Sequence, residues 1–238
     1  MRIISFDEFI DLPRPNIDWV VDGLIPRPGI VELMGPPKTG KSFLALDLAL
    51  RVARGEPFLG RESRPQKVLY FQLDTSERVM KDRGLTLRAS GYNTKADLFG
   101  MVHPEDSERP VDITMAAGKE YFRRAVAKHD PGLIIVDTLR ECHQEDENES
   151  AAMKHVMDVF EDVFVNRAVF MVHHTNKLSP EISVPNPILA SRGSTYITGK
   201  VDAFWLLYNG KLFITSRWDE PVIYNATQTE NGMFMFKK

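Results

Sequence analysis

Gly35 is followed by four free positions and then by Gly40, Lys41 and Ser42, the spacing of the phosphate-binding loop called Walker A. A loop that wraps a pyrophosphate must aim successive backbone N–H groups inward, and glycines at Gly35 and Gly40 permit angles and approaches that a Cβ forbids. Pro36, Pro37, Lys38 and Thr39 form the stretch between them. Lys41 offers a point charge to the β- and γ-phosphates, and the Ser42 hydroxyl can ligate Mg²⁺. A helix beginning near Lys41 adds unpaired N–H groups and a dipole that favour anions. A Gly/Pro turn with an exposed lysine would fit the motif but not its setting. The apolar, β-branched run Ile30–Met34 precedes the loop, and the helix-forming run Phe43–Leu50 follows it.

Asp137 ends the apolar run Leu133–Val136 and is the candidate Mg²⁺-associated acid that partners Ser42, the Walker B position; an Asx turn is its structural alternative. Asp74 closes the run Lys67–Leu73 and could orient or deprotonate an attacking water, with Glu77 as the fallback base. Asp74 and Glu77 also have the spacing of a helix N-cap and its partner, which would account for both without catalysis. His173 and His174 close the run Ala168–Val172; neighbours on a strand face opposite ways, so one is expected to reach the nucleotide edge while the other packs, and no metal pair is expected; a hydrogen-bonded core or loop histidine is the structural alternative. Arg192 and Arg217 are candidate cations for phosphate or a neighbouring subunit, and by composition surface charges. The acids Glu141, Glu145, Asp146, Glu147 and Glu149 read as a solvated loop leading into the acidic first turn of a helix. Such a loop is a poor place for a phosphate backbone.

The positioning elements alternate. Strands are expected at Ile30–Met34, Lys67–Leu73, Leu98–Val102, Leu133–Asp137 and Ala168–Val172. Helices are expected from Lys41, over Ser76–Ala89 and Met115–Lys128, and through Met153, Val156, Met157, Phe160, Val163 and Phe164. Residues 1–28 read as a lead-in broken by Pro13, Pro15, Pro26 and Pro28. Pro180, Pro185 and Pro187 mark a loop expected to hold no regular structure. Beyond Val201 the period shortens: strands at Phe204–Leu207, Leu212–Ser216, Val222–Tyr224 and Met233–Phe236 are joined by turns at Asn209-Gly210 and Asn231-Gly232. The pattern predicts an α/β fold, a mostly parallel sheet flanked by helices, with an antiparallel β extension at the C-terminal end.

The 238 residues can bury a substantial core. The lone Cys142 can form no internal disulfide and no cysteine-built zinc site, which predicts a reducing, cytoplasmic setting. No apolar run is long enough for a bilayer, so no membrane partner is expected. A net charge of −3 and pI near 6.1 do not advertise a nucleic-acid binder.

Together the motifs resemble the RecA-like hexameric ATPases, most closely the small stand-alone plasmid helicases of the RepA type and more distantly the DnaB-type replicative helicases. The residues that carry the likeness are Asp18–Pro26, the Walker loop and Val68–Phe71 ahead of an acid. Asp137–Arg140, Asp146–Asn148, Val172–Lys177 and Arg192–Ser194 complete the set. The resemblance implies a RecA-like P-loop core over residues 29–238, ATP and Mg²⁺ as cofactors, and a hexameric ring of copies of this chain. It implies that Lys41 and Ser42 hold phosphate and Mg²⁺ and that Asp137 is the Walker B acid. Asp74 stands where the family usually has glutamate. His174 matches the sensor that links the γ-phosphate to the DNA-binding loops. Arg217 matches an arginine inserted into the neighbouring subunit's site, with Thr215 where the family's lysine would be. Single-stranded DNA would meet Arg140, Lys177 and Arg192, and any primase or replication initiator would be a separate chain. The implied activity is ATP-driven translocation and unwinding in plasmid or phage replication; the alternative is an ATPase that switches or loads partner proteins.

Overall fold

A computed structural model describes residues 3–14, 16–92, 98–103, 111–175, 185–191, 195–230 and 232–238. Its centre is a nine-stranded sheet in the order β11-β10-β9-β8-β3-β7-β6-β4-β5. The six strands β3 (Gly29–Gly35), β4 (Val68–Gln72), β5 (Phe99–Val102), β6 (Leu133–Asp137), β7 (Ala168–His174) and β8 (Ala203–Tyr208) run parallel. Parallel strands covered on both faces must be apolar almost throughout, and every residue of β4, β6 and β8 is buried. Side chains alternate across the sheet. Val31 and Leu33 of β3 join the core beneath α2 (Lys41–Arg54) and α3 (Glu77–Ala89). Ile30 and Met34 join the core beneath α4 (Ala116–His129) and α5 (Ser150–Val163).

The β extension begins one strand later than the sequence suggests. β8 follows a crossover from β7 and lies parallel to β3, with Val31 opposite Ala203. Within this sheet, among the described residues, only β9 (Lys211–Ser216), β10 (Val222–Gln228) and β11 (Phe234–Lys237) are antiparallel. The turn at Asn209-Gly210 is present, with both residues at positive φ as a tight hairpin of native twist requires. Asn231 lies outside the described residues.

Three local expectations are corrected. Proline does not exclude structure at Pro187: a short helix α6 (Pro187–Ala190) starts there, because an N1 proline gives up no needed N–H and Asn186 Oδ1 accepts from Ile188 N at 2.9 Å; residues 176–184 are outside the description. A further helix, α7 (Thr195–Lys200), precedes β8. The first turn of α5 carries no acid, and Glu147 is buried rather than solvated. The N-cap of α3 is Ser76, two residues past Asp74, and no side chain caps it.

Ahead of the sheet, α1 (Phe6–Ile10) is followed by a hairpin of β1 (Asp18–Val21) and β2 (Ile25–Arg27). Val20, Val21 and Ile25 enter the α2-side core, and Trp218 Nε1 donates to Gly23 O at 2.7 Å, tying the hairpin to the turn after β9. The C-terminal strands close on α2 from the other end. Asp47, wholly buried on α2, accepts from Arg51 Nε at 2.5 Å and from Phe234 N at 3.4 Å. Burial pushes its pKa upward, and the Arg51 guanidinium opposes that push.

Candidate functional site

The Walker loop joins β3 to α2 at the carboxyl edge of the parallel strands, where open α/β sheets place ligands. Gly35 ends β3 so close to β8 that a Cβ would stand 2.5 Å from Leu207 O. Gly40 is the α2 N-cap at φ +93°, and a Cβ there would stand 2.9 Å from the Phe234 ring. Between them Thr39 Oγ1 donates to Pro36 O at 2.9 Å, and Lys38 takes a positive φ. Lys41 is buried, and its Nζ donates to Gly35 O and Pro36 O, each at 2.9 Å. No side chain caps α2 among the described residues, so its first N–H groups are available to an anion.

Asp137 ends β6 across from Gln72 in register. It is fully buried; Oδ2 accepts from Tyr70 Oη at 2.7 Å, while Oδ1 has no hydrogen-bond partner among the described residues. Burial raises its pKa, and hydrogen bonding from Tyr70 and Ser42 draws it back. A buried carboxylate oxygen without a donor, beside the Ser42 hydroxyl, is the donor set a Mg²⁺ ion takes. Burial also depresses the Lys41 pKa, while Asp137 and then Asp74 favour its charged form. Lys41, Ser42, Asp74 and Asp137 therefore act on one another at one edge of the sheet. Asp74 is exposed there, and its backbone N–H reaches Asp137 O at 3.3 Å.

The histidines divide as alternation requires. His174 lies opposite Gly35 in the β3–β7 register, half-buried, on the face of Val172 and α2. His173 is buried on the other face, its Nδ1 3.9 Å from Glu147 Oε1.

Three positions are not joined to this set. Glu77 is exposed and ion-paired with Lys81 on its own helix. Arg217 lies beyond β9, beside the first residues of β3 and β8: its Nη2 donates to Gly199 O at 2.7 Å, and Nη1 is 3.6 Å from Asp202 Oδ1. Asp202 in turn accepts from Ile30 N at 2.9 Å. At about 3.3 Å per residue, the length of β3 separates Arg217 from its own Walker loop by roughly 17 Å. Arg140 is exposed, with Nη1 donating to Glu145 O at 3.0 Å. Lys177 and Arg192 lie outside the described residues.

Sequence reasoning missed Tyr70 and Gln72, which share the Asp137 face of β4. Gln72 is fully buried, and neither of its amide atoms has a hydrogen-bond partner among the described residues. A lone amide inside an apolar strand was the available signal. Arg83 was missed too: its guanidinium lies 4.9 Å from the Phe43 ring centroid and lowers the pKa of both Asp137 and Tyr70.

Sheet order, Walker loop and strand-end acid define a RecA-like P-loop ATPase fold. The sequence model of the family described as an AAA domain matches residues 2–180, well over half of the chain, and the protein belongs to that family. Among solved structures it is similar to a KaiC-like protein from the hyperthermophilic archaeon Pyrococcus horikoshii OT3, at 13% identity and a TM-score of 0.60. The match spans 99% of this chain and 96% of that one. At that identity the likeness speaks for the fold alone. Among the described residues no helix is long and apolar enough to cross a membrane, and no cluster of His, Cys, Asp or Glu could hold a metal ion unaided.

Proposed function

We propose that the protein is a Mg²⁺-dependent ATPase that assembles as a hexameric ring, translocates on single-stranded DNA and unwinds duplex during plasmid or phage replication. Residues 29–238 act as the ATPase domain, with residues 1–28 as its lead-in. The observation that carries the reading is the separation of one catalytic set into two places. Lys41, Ser42, Asp74 and Asp137 converge at one edge of the sheet, and Arg217 stands at the other.

In this reading the loop N–H groups and Lys41 bind the ATP phosphates, and Ser42 with Asp137 holds Mg²⁺. Held by those two side chains, Mg²⁺ would supply positive charge to the phosphates. Asp74, exposed toward the edge, takes a proton from the water whose oxygen bonds to the γ-phosphorus as the bond to the β–γ bridging oxygen breaks. Glu77, held by Lys81, is not needed as the base. Arg217 cannot reach its own site and stabilises the transferring phosphoryl group of a neighbour. His174, beside the loop at the end of β7, senses the γ-phosphate and passes its state toward the segment after Thr175.

A second reading, an ATPase that switches or loads partner proteins without unwinding, is favoured by the segment after β6. There Arg140 is engaged by Glu145 O while Glu141, Asp146 and Glu149 are exposed. Such a surface repels a phosphate backbone.

ATPase rate per subunit measured against protein concentration, with and without single-stranded DNA, tests both. The motor reading expects a rate that rises with concentration and again with DNA. A rate that rises with concentration but ignores DNA favours the partner switch, and a rate indifferent to both removes the ring.

A further inference from the structure

β4 ends on a side chain that the folded protein does not satisfy. The Gln72 amide is fully buried, and neither Oε1 nor Nε2 has a hydrogen-bond partner among the described residues. A buried donor or acceptor left unpaired forfeits its hydration and gains nothing in return, so an apolar side chain would fill the same place at less cost. A glutamine here calls for a partner that arrives with a ligand.

Its position limits what that partner can be. Gln72 is the last residue of β4, one place beyond the pairing with β5, which ends at Phe71, and it lies opposite Asp137 in the β4–β6 register. Side chains paired across neighbouring strands share a face of the sheet, on strands about 4.8 Å apart. Asp137 is itself only half satisfied: Tyr70 Oη donates to Oδ2 at 2.7 Å, and Oδ1 has no partner among the described residues. Three buried polar atoms, Gln72 Oε1, Gln72 Nε2 and Asp137 Oδ1, therefore stand unpaired on one register pair. Asp74, two residues beyond Gln72, acts electrostatically on both Asp137 and Lys41. An amide donates from one atom and accepts at another, so it can bridge a carboxylate and a water at once, which a carboxylate in its place could not.

We propose that Gln72 is a positioning residue of the nucleotide site: when the site fills, Nε2 donates to Asp137 and Oε1 accepts from a water beside it, fixing the carboxylate for Mg²⁺ and the water for Asp74. The inference rests on the reading of Ser42 and Asp137 as the Mg²⁺ pair. Gln72 acts through Asp137 and the water and does not touch the phosphates. The ligand-free chain carries the cost of the unpaired amide, and the loaded chain recovers it.

Gln72→Met keeps the length of the side chain and removes both polar atoms, and two readouts on the full chain separate positioning from packing. The urea midpoint without nucleotide should equal or exceed that of wild type, because the unpaired amide is gone. The Mg²⁺ concentration that half-saturates binding of ATPγS, followed by calorimetry, should rise roughly 10-fold or more, the loss expected when a ligating carboxylate loses its supporting hydrogen bond. A lower midpoint, or a chain that does not fold, shows that the amide is already satisfied without ligand and overturns the proposal. An unmoved Mg²⁺ half-saturation overturns it too. Asp137→Asn, measured in parallel, tells the failures apart. If it raises the Mg²⁺ requirement and Gln72→Met does not, Gln72 falls and the Mg²⁺ site stands; if neither variant moves it, the site reading falls and this inference with it.

Discussion

Glu32 occupies the middle of β3, paired in register with Met171 on one side and Phe204 on the other. Its only hydrogen bond among the described residues comes from Ser191 Oγ to Oε1 at 2.9 Å, and Oε2 has none. Burial drives its pKa from 4.5 to about 8; the Ser191 hydroxyl opposes the rise, and Glu147 adds to it. The folded chain therefore binds this proton more tightly than the unfolded one. The resulting stability is complete below pH 4.5 and is lost as pH rises to about 8. Glu32→Gln stays neutral throughout, so chemical denaturation should show wild type losing on the order of 4 kcal/mol relative to it across that window. Parallel pH curves for the two proteins would mean that Glu32 ionises freely. A lone glutamate inside the apolar run Ile30–Met34 was the available signal, but the run does not disclose which neighbours enclose it. Lys41 and Ser42 were legible, because the phosphate loop is a local object whose chemistry requires those types at that spacing.

The loop between β3 and α2 is held by elements remote in sequence. Its first glycine abuts the end of β8, and its last meets Phe234 of β11. Gly40→Ala should destabilise the protein by about 1 to 2 kcal/mol for the left-handed backbone alone. It should also weaken nucleotide binding, because the loop must open against the Phe234 ring. Urea midpoint and nucleotide titration check the two effects, and an unshifted midpoint would show that the loop relaxes without strain. The core element types were largely readable, since the 3.6-residue apolar period of the long helices and the unbroken apolar runs of the buried strands both survive in the sequence. Local reading failed at Pro187, where one position decides whether proline breaks or starts a helix, and at the N-cap of α3. It failed also at Glu147, whose burial depends on His173 and the packing after β6 rather than on its acidic neighbours.

At the scale of the molecule, the sheet sends the proposed nucleotide-binding groups and Arg217 to opposite ends. Arg217→Ala should leave nucleotide affinity nearly intact and lower turnover by roughly 10³-fold, the scale of an arginine supplied to phosphoryl transfer. Mixing it with Lys41→Ala, itself unable to turn over, should recover part of the rate. An Arg217→Ala site facing a Lys41→Ala neighbour has both its own Lys41 and the neighbour's Arg217. Absence of recovery in mixed assemblies would place Arg217 outside the reaction. The sequence by itself determined the phosphate loop, the strand-end acid and the alternation of strands and helices, because each depends on spacing within one segment. Only the tertiary structure decided that β8 joins the parallel sheet, that Tyr70 and Ser42 flank Asp137, that His174 lies beside Gly35 at the Walker-loop edge, and that Arg217 lies a strand's length away. Those relations follow from register and crossover between segments up to 185 residues apart in the numbering, roughly the span from Glu32 to Arg217, and no local period encodes them.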